Sequence, residues 1–305
     1  MSDQAGEPIA AIDCGTHSTR LLIEIDGSAI VREVELTKVG EGLRPGGALA
    51  DAAMDRVIAA LVRYRALMDG HGVTRCRVAA TSAARDASNG AAFIERIGDI
   101  IGTPAEILDG RTEGELTFLG ATAELDGAKG PFLVVDIGGG STELAFGNDK
   151  CEASISLDIG SVRLSEQYLD SDPPRPEELS ACVTVTGAWL DDVDREIPQA
   201  HTATTVIGVA GTVSTAVAVE LGLSEYDREM IHHFELTREA AEDVFRTLAT
   251  ENRVDRGFNP GLPAGRVDTI VGGMAILVKI MRHFDLSSIL ASESDILDGL
   301  ARSIR

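Results

Sequence analysis

The sequence predicts an α/β protein built from two similar halves, and two observations carry that prediction. Short apolar, β-branched runs alternate with amphipathic stretches along the chain, as expected for sheets covered by helices. The pattern D-x-G-x-x-S-T-x-L also occurs twice, at Asp13–Leu21 and at Asp136–Leu144, each time after an apolar strand. The copies align without a gap, and such self-similarity is the mark of a repeated unit.

In chain order, Ile9–Cys14 reads as a strand running into the first glycine turn. Arg20–Asp26 follows as a second strand and Ala29–Val39 as a third. Gly40–Gly47 is a glycine-rich loop. Leu49–Met68 carries Ala53, Val57, Leu61 and Met68 at helical spacing, and Gly70 and Gly72 end it. Cys76–Ala80 is a short strand delivering the loop Thr81–Asn89, which reads T-S-A-A-R-D-A-S-N. A helix over Ala91–Ile101, a strand over Ala105–Leu108 and a helix over Thr112–Leu125 complete the first half. Asp126–Pro131 is short and glycine-rich and is the expected boundary, giving domains 1–128 and 129–305.

The second half opens on the second copy, F-L-V-V-D-I-G-G-G-S-T-E-L over Phe132–Leu144, followed by a strand at Ala153–Leu157. Asp158–Leu169 reads as a turn opening a helix, Asp170–Pro176 as a proline-rich connection and Glu177–Ile197 as a long amphipathic helix. Thr204–Val209 is a strand, and Gly208–Thr215 is a third glycine–hydroxyl turn at a helix start. Ser224–Phe234 reads as irregular and holds His232 and His233. Helices over Arg238–Thr250 and Arg266–Phe284, a strand at Ser288–Ala291 and a helix over Asp295–Ile304 close the chain.

The chain has 305 residues, 44% of them apolar, enough for two cores. No apolar run is long enough to span a membrane. Met1–Pro8 is polar and acidic and shows no signal-peptide pattern. Cys14, Cys76, Cys151 and Cys182 match neither a metal spacing nor a disulfide framework, so the expected setting is the reducing cytoplasm. A formal charge of −22 argues against nucleic-acid and anionic-membrane partners. It leaves room for a polyanionic substrate, because distant charge is screened beyond about 8 Å at physiological salt and a Mg²⁺ travelling with phosphate reverses the local sign.

Ligands of α/β sheets gather beyond the carboxyl ends of strands, where the turns at Asp13, Thr81, Asp136 and Gly208 all fall. Glycine-rich turns let backbone N–H groups converge on an anion. The phosphate-binding candidates are therefore Gly15, Thr16, His17 and Ser18, then Gly138, Gly139, Gly140, Ser141 and Thr142, and finally Gly211 and Thr212. Asp13, Asp136 and Glu143 are candidate Mg²⁺ ligands, the ion taking one or two protein carboxylates beside phosphate oxygens. Turn capping is the alternative for both aspartates, and a solvent-facing strand position for Glu143. Arg85 is placed either to fork onto a terminal phosphate or to pair with Asp86 or another acid. Glu113 opens a helix, and by pattern alone a capping residue is its leading reading. Arg163 and Arg266 have weaker claims, and His232–His233 lacks an evident third metal ligand.

Taken together, these segments resemble the exopolyphosphatase and guanosine-pentaphosphate phosphohydrolase (Ppx/GppA) family of the actin, Hsp70 and sugar-kinase superfamily. The resemblance runs through A-I-D-C-G-T-H-S-T-R-L, A-T-S-A-A-R-D-A-S-N, D-G-R-T-E-G-E-L, V-D-I-G-G-G-S-T-E-L, S-L-D-I-G-S-V-R-L-S-E, G-V-A-G-T-V-S-T and P-A-G-R-V-D-T-I-V-G-G. It implies two ribonuclease-H-like domains flanking a cleft. It also implies Mg²⁺-dependent cleavage of terminal phosphate, with Mn²⁺ as an alternative ion. The family's general base matches Glu113, reversing the reading from pattern alone; its metal and water-handling acids match Asp136 and Glu143, and its phosphate arginine matches Arg85. His17 and Thr16 stand where the family usually has asparagine and serine, and Thr112, Glu113 and Gly114 replace its usual acidic pair and alanine.

The expected activity is an exopolyphosphatase acting on inorganic polyphosphate, short chains in particular, since the C-terminal domains that grip long chains in larger members have no counterpart before Arg305. The alternatives are a guanosine pentaphosphate 5′-phosphohydrolase, an ATP-using kinase, and a non-enzymatic alarmone-binding protein. The expected assembly is a cytoplasmic homodimer.

Overall fold

The computed structural model describes residues 6–44 and 46–305, so Met1–Ala5, where most of the reading of the N-terminus falls, and Pro45 of the glycine-rich loop lie outside it. The chain divides into two compact units. The first comprises Met1–Gly120 with Ile296–Arg305, and the second Ala121–Asp295.

The first unit is built on a five-stranded sheet. Its strands are β1 (Ile9–Cys14), β2 (Thr19–Ile25), β3 (Ser28–Glu35), β4 (Arg75–Ala80) and β5 (Ala105–Ile107), in the order β3-β2-β1-β4-β5. β1 to β3 form an antiparallel meander, and β4 and β5 run parallel to β1. Helices α1 (Asp51–Gly70), α2 (Ser82–Asp86) and α3 (Gly90–Ile101) provide the crossovers, and α4 (Gly110–Thr122) follows β5. β1 is buried along its whole length, which fits its unalternated sequence I-A-A-I-D-C. Successive residues still face opposite ways: Ile12 and Cys14 enter one core with Val57, Leu61, Phe93 and Ile97, and Ala11 enters another with Leu108 and Leu116. Asp13 shares the side of Ala11. β3 is the edge strand, and its charged, exposed pattern protects that edge.

The second unit repeats the plan. β6 (Phe132–Ile137), β7 (Thr142–Gly147) and β8 (Cys151–Leu157) are the antiparallel meander. They are followed by α5 (Ser161–Tyr168), α6 (Pro176–Glu196), β9 (Thr205–Val209), α7 (Ala210–Glu220), α8 (Arg228–Ile231), β10 (Glu235–Thr237), α9 (Arg238–Thr250), α10 (Arg253–Arg256), α11 (Ile270–His283) and β11 (Ser288–Ala291). The sheet order is β10-β11-β9-β6-β7-β8, with β9 parallel to β6 and β11 parallel to β9. The order 8-7-6-9-11 reproduces 3-2-1-4-5, so the duplicated motif is the sequence trace of two ribonuclease-H-like domains. Leu133, Val135 and Ile137 point into the core, which leaves Asp136 on the other face of the strand.

The largest departure from the expected domains concerns the end of the chain. α12 (Ile296–Arg302) groups with the first unit, where Leu297 and Leu300 are wholly buried with Ala11, Leu22 and Ala79. A methyl group on Gly299 would run into the Leu116 backbone, so this helix lies directly on α4. The division also falls within the last turn of α4, ahead of the expected boundary at 128. Smaller differences are local. The loop after β4 contains the single-turn helix α2. The segment expected to be irregular holds α8, capped by the Asp227 carboxylate accepting from the Glu229 and Met230 amides. The expected helix from Arg266 starts at Ile270, after a 3₁₀ turn over Ala264–Arg266. β10 and α10 are too short to leave a periodic signal.

Because α12 covers one face of the first sheet, Leu300→Ala should destabilise that unit by about 2–5 kcal/mol. Denaturant unfolding of the full chain, followed by circular dichroism, checks this.

Candidate active site

The two motif turns have the same construction. In the first unit the Gly15 amide donates to the Ser18 carbonyl at 2.9 Å, and in the second the Gly138 amide donates to the Ser141 carbonyl at 3.0 Å. A Cβ at Gly15 or Gly138 would sit 3.2 or 3.1 Å from that same carbonyl oxygen, which explains the glycine in both copies. These two amides close their turns and do not point at a ligand. The next two in the second turn, of Gly139 and Gly140, have no protein acceptor among the described residues.

The copies carry opposite charges at one register position. Asp13 lies directly across from Arg20 on β2, and Asp136 lies directly across from Glu143 on β7. Arg20 donates from Nε and Nη2 to Asp13 Oδ2 at 3.0 and 2.7 Å. An aspartate expected to bind metal is thus held by an arginine fork. In the second unit the equivalent register pairs two carboxylates, both buried. The Ser156 hydroxyl donates to Glu143 Oε1 at 2.6 Å and orients that side chain.

Around the first turn, the Thr16 and Ser82 hydroxyls are hydrogen-bonded at 2.8 Å, tying the turn to α2. His17 is buried, and its carbonyl accepts the Lys38 amide. α2 in turn delivers Arg85, whose Nη1 donates to the Leu108 carbonyl at 2.8 Å and to Glu113 Oε2 at 2.9 Å. Arg85 thus pairs with Glu113, an acid 28 residues further along the chain.

Glu113 lies in the first turn of α4 and is only 6% exposed. The capping role that pattern assigned to it belongs to Asp109, whose Oδ1 accepts the Thr112 amide at 2.7 Å. Glu113 is left for other work. Burial lifts its pKa to about 7; Arg85 opposes that rise, the Asp13 charge adds to it, and a hydrogen bond with Thr81 opposes it. A carboxylate poised near neutrality, beside a guanidinium that orients it, is a fit proton acceptor for water.

In the second unit the start of α5 is bound to the glycine turn. Ser161, Val162 and Arg163 amides donate to the Gly138 and Gly139 carbonyls, and Arg163 Nε donates to the Gly140 carbonyl at 2.9 Å. Gly160 permits this, since a Cβ there would collide with the Gly139 backbone. The segment D-I-G-S-V-R-L thus buttresses the turn, and Arg163 serves as a brace. Thr142 and Thr212 donate their hydroxyl protons to the Ile159 and Ile137 carbonyls, so both act as ties within the sheet end. The Arg266 guanidinium lies where a side chain on Gly211 would be, over the start of α7.

The family model described as the Ppx/GppA phosphatase family matches residues 23–304. The chain belongs to this family. This Ppx/GppA phosphatase is 37% identical to Exopolyphosphatase 2 of Mycobacterium tuberculosis over 313 residues, covering 97% of the chain and 98% of that relative. It superposes on the Aquifex aeolicus PPX-GPPA enzyme with a TM-score of 0.82 at 30% identity, covering 97% of this chain and 99% of that one. An exopolyphosphatase from Cytophaga hutchinsonii gives a TM-score of 0.88 at 25% identity, covering 98% and 99%.

Arg20, Thr81 and Ser82 were absent from the residues singled out in sequence. Arg20 had a legible signal, because aligning the two copies sets it on Glu143, a reversal of charge at one register position. In this Ppx/GppA phosphatase, Arg20→Gln should cost on the order of 3 kcal/mol by leaving the buried Asp13 carboxylate without its fork. Thermal unfolding of the variant beside the wild type measures the loss.

Proposed function

We propose that the chain is a Mg²⁺-dependent exopolyphosphatase that hydrolyses the terminal phosphate of inorganic polyphosphate. The observation that carries the chemistry is the buried Glu113 with its pKa near 7, held by Arg85. Glu113 takes the proton from the attacking water. Arg85 fixes the carboxylate for that transfer and presents positive charge to phosphate. The substrate comes from the relatives: two of the similar proteins are exopolyphosphatases by name. A preference for short chains rests on the resemblance alone. The cysteines, present as thiols and not as disulfides, suit a cytoplasmic setting.

Asp136 and Glu143 fit a Mg²⁺ ion. They are buried, directly opposite one another, and supply the one or two carboxylates that Mg²⁺ takes from protein. The ion would neutralise phosphate charge, which a protein of net charge −22 needs. The Gly139 and Gly140 amides are the donors we assign to phosphate in that unit.

Glu113→Gln should lower phosphate release by about 10²–10⁴-fold while polyphosphate still binds. In the wild type, kcat/KM should rise with pH through about 7, because the base works deprotonated and its pKa is raised to that value. Retained activity in the variant would remove Glu113 from the mechanism. Turnover on polyphosphates of several lengths and on guanosine pentaphosphate decides the substrate.

Mg²⁺ should raise the melting temperature of the wild type, and Glu143→Gln or Asp136→Asn should abolish most of that rise. Differential scanning fluorimetry across a Mg²⁺ series, with EDTA as the baseline, reads the effect.

A further inference from the structure

α6 and α11 pack closely enough that a Cβ on Gly187 would lie 2.8 Å from Lys279 Cε. One turn beyond Lys279 on α11 is His283, and two turns beyond Gly187 on α6 is Asp194, so the same two faces meet again near the helix ends. The 3₁₀ turn Pro198–Thr202 then folds His201 back onto them. His201 Nε2 and His283 Nε2 lie 2.8 and 3.0 Å from the same oxygen, Asp194 Oδ1. All three ligand atoms lie within 4.8 Å of one another.

We infer that Asp194, His201 and His283, none of them among the residues assigned to phosphate chemistry, form a binding site for a divalent ion of the Zn²⁺ class. Two imidazoles and one carboxylate are a zinc donor set, and solvent supplies the remaining position. Ligands on one tetrahedral zinc lie roughly 3.4 Å apart, given Zn–N and Zn–O bonds near 2.1 Å. The present spacings need only small rotations to meet that. Both helices end here, and the partial negative charge at helix C-termini favours a cation. Burial disfavours the Asp194 carboxylate, but the His283 and His201 imidazoles outweigh it and hold its pKa below the ordinary value.

Tautomer chemistry distinguishes this cluster from a second one, Glu124 with His232 and His233. His232 Nδ1 accepts the Glu293 amide at 3.0 Å, which keeps the ring proton on Nε2, the atom facing Glu124. That nitrogen then has no lone pair for a metal. Among the described residues nothing donates to Nδ1 of His201 or His283, so their protons can move there and free Nε2. The ion would join α6, the 3₁₀ turn and α11 in place of hydrogen bonds to a single carboxylate oxygen.

The test titrates the full chain with Zn²⁺ by calorimetry in excess Mg²⁺, with Co²⁺ absorption reporting the ligand set. The wild type should bind one equivalent and melt at a higher temperature with Zn²⁺ present. His201→Gln and Asp194→Asn should each weaken binding by more than the roughly 10- to 100-fold typical of outer-shell changes. Both positions are partly solvent-exposed, so the variants should fold and keep wild-type phosphatase activity in Mg²⁺. His232→Gln should bind Zn²⁺ as the wild type does. Absence of binding by the wild type, binding unchanged in both His201→Gln and Asp194→Asn, or binding lost in His232→Gln would overturn the assignment.

Discussion

An aspartate at the end of a buried strand needs positive charge close to it, because removing a carboxylate from water is costly unless it is paired. In the first unit the residue directly across the ladder is Arg20, and the two form an ion pair across adjacent strands. In the second unit the same register position is Glu143. One duplicated framework thus holds a neutralised carboxylate in one copy and a carboxylate pair in the other. A pair of that kind is the anionic half of a divalent-cation site, and the proposed Mg²⁺ follows from a single change of charge between the repeats. The turns themselves are alike down to the hydrogen bond that closes each.

The raised pKa of Glu113 comes from the packing of the first unit. Burial alone would push the carboxyl toward its neutral form, and the Asp13 charge pushes the same way. Arg85 and Thr81 limit the rise, which leaves the pKa at about 7. That balance depends on α2, a helix of five residues. It is anchored to the first motif turn through Ser82 and Thr16, and it carries Arg85 on its last turn. The position of Glu113 is in this way coupled to the geometry of the first glycine turn.

The acidity of the chain bears on the same chemistry. A protein with this net charge would repel a polyphosphate at long range in low salt. Arginines held on backbone carbonyls offer local compensation, and the proposed metal would add to it. Arg85 on Leu108 and Arg163 on Gly140 are such arginines, their guanidinium groups fixed by the fold.

The sequence by itself determined the α/β class, the duplication, the strand ends where the chemistry gathers, and Asp136, Glu143, Arg85 and Glu113 as residues to examine. The class, the duplication, Asp136 and Glu143 are properties of local periodicity and of a repeat read in register, whereas Glu113 and Arg85 gained their roles from the resemblance to the Ppx/GppA family. Only the tertiary structure decided that Asp13 is held by Arg20, that Asp109 rather than Glu113 caps α4, and that Arg85 meets Glu113. It also decided that α12 belongs with the first sheet and that Asp194, His201 and His283 converge. The Arg20 contact crosses a hairpin at a separation of seven residues; the others are contacts between segments far apart in the chain, or a choice among acids of equal local claim. Such choices are settled by which side chains burial forces together, and no spacing within a single segment encodes them.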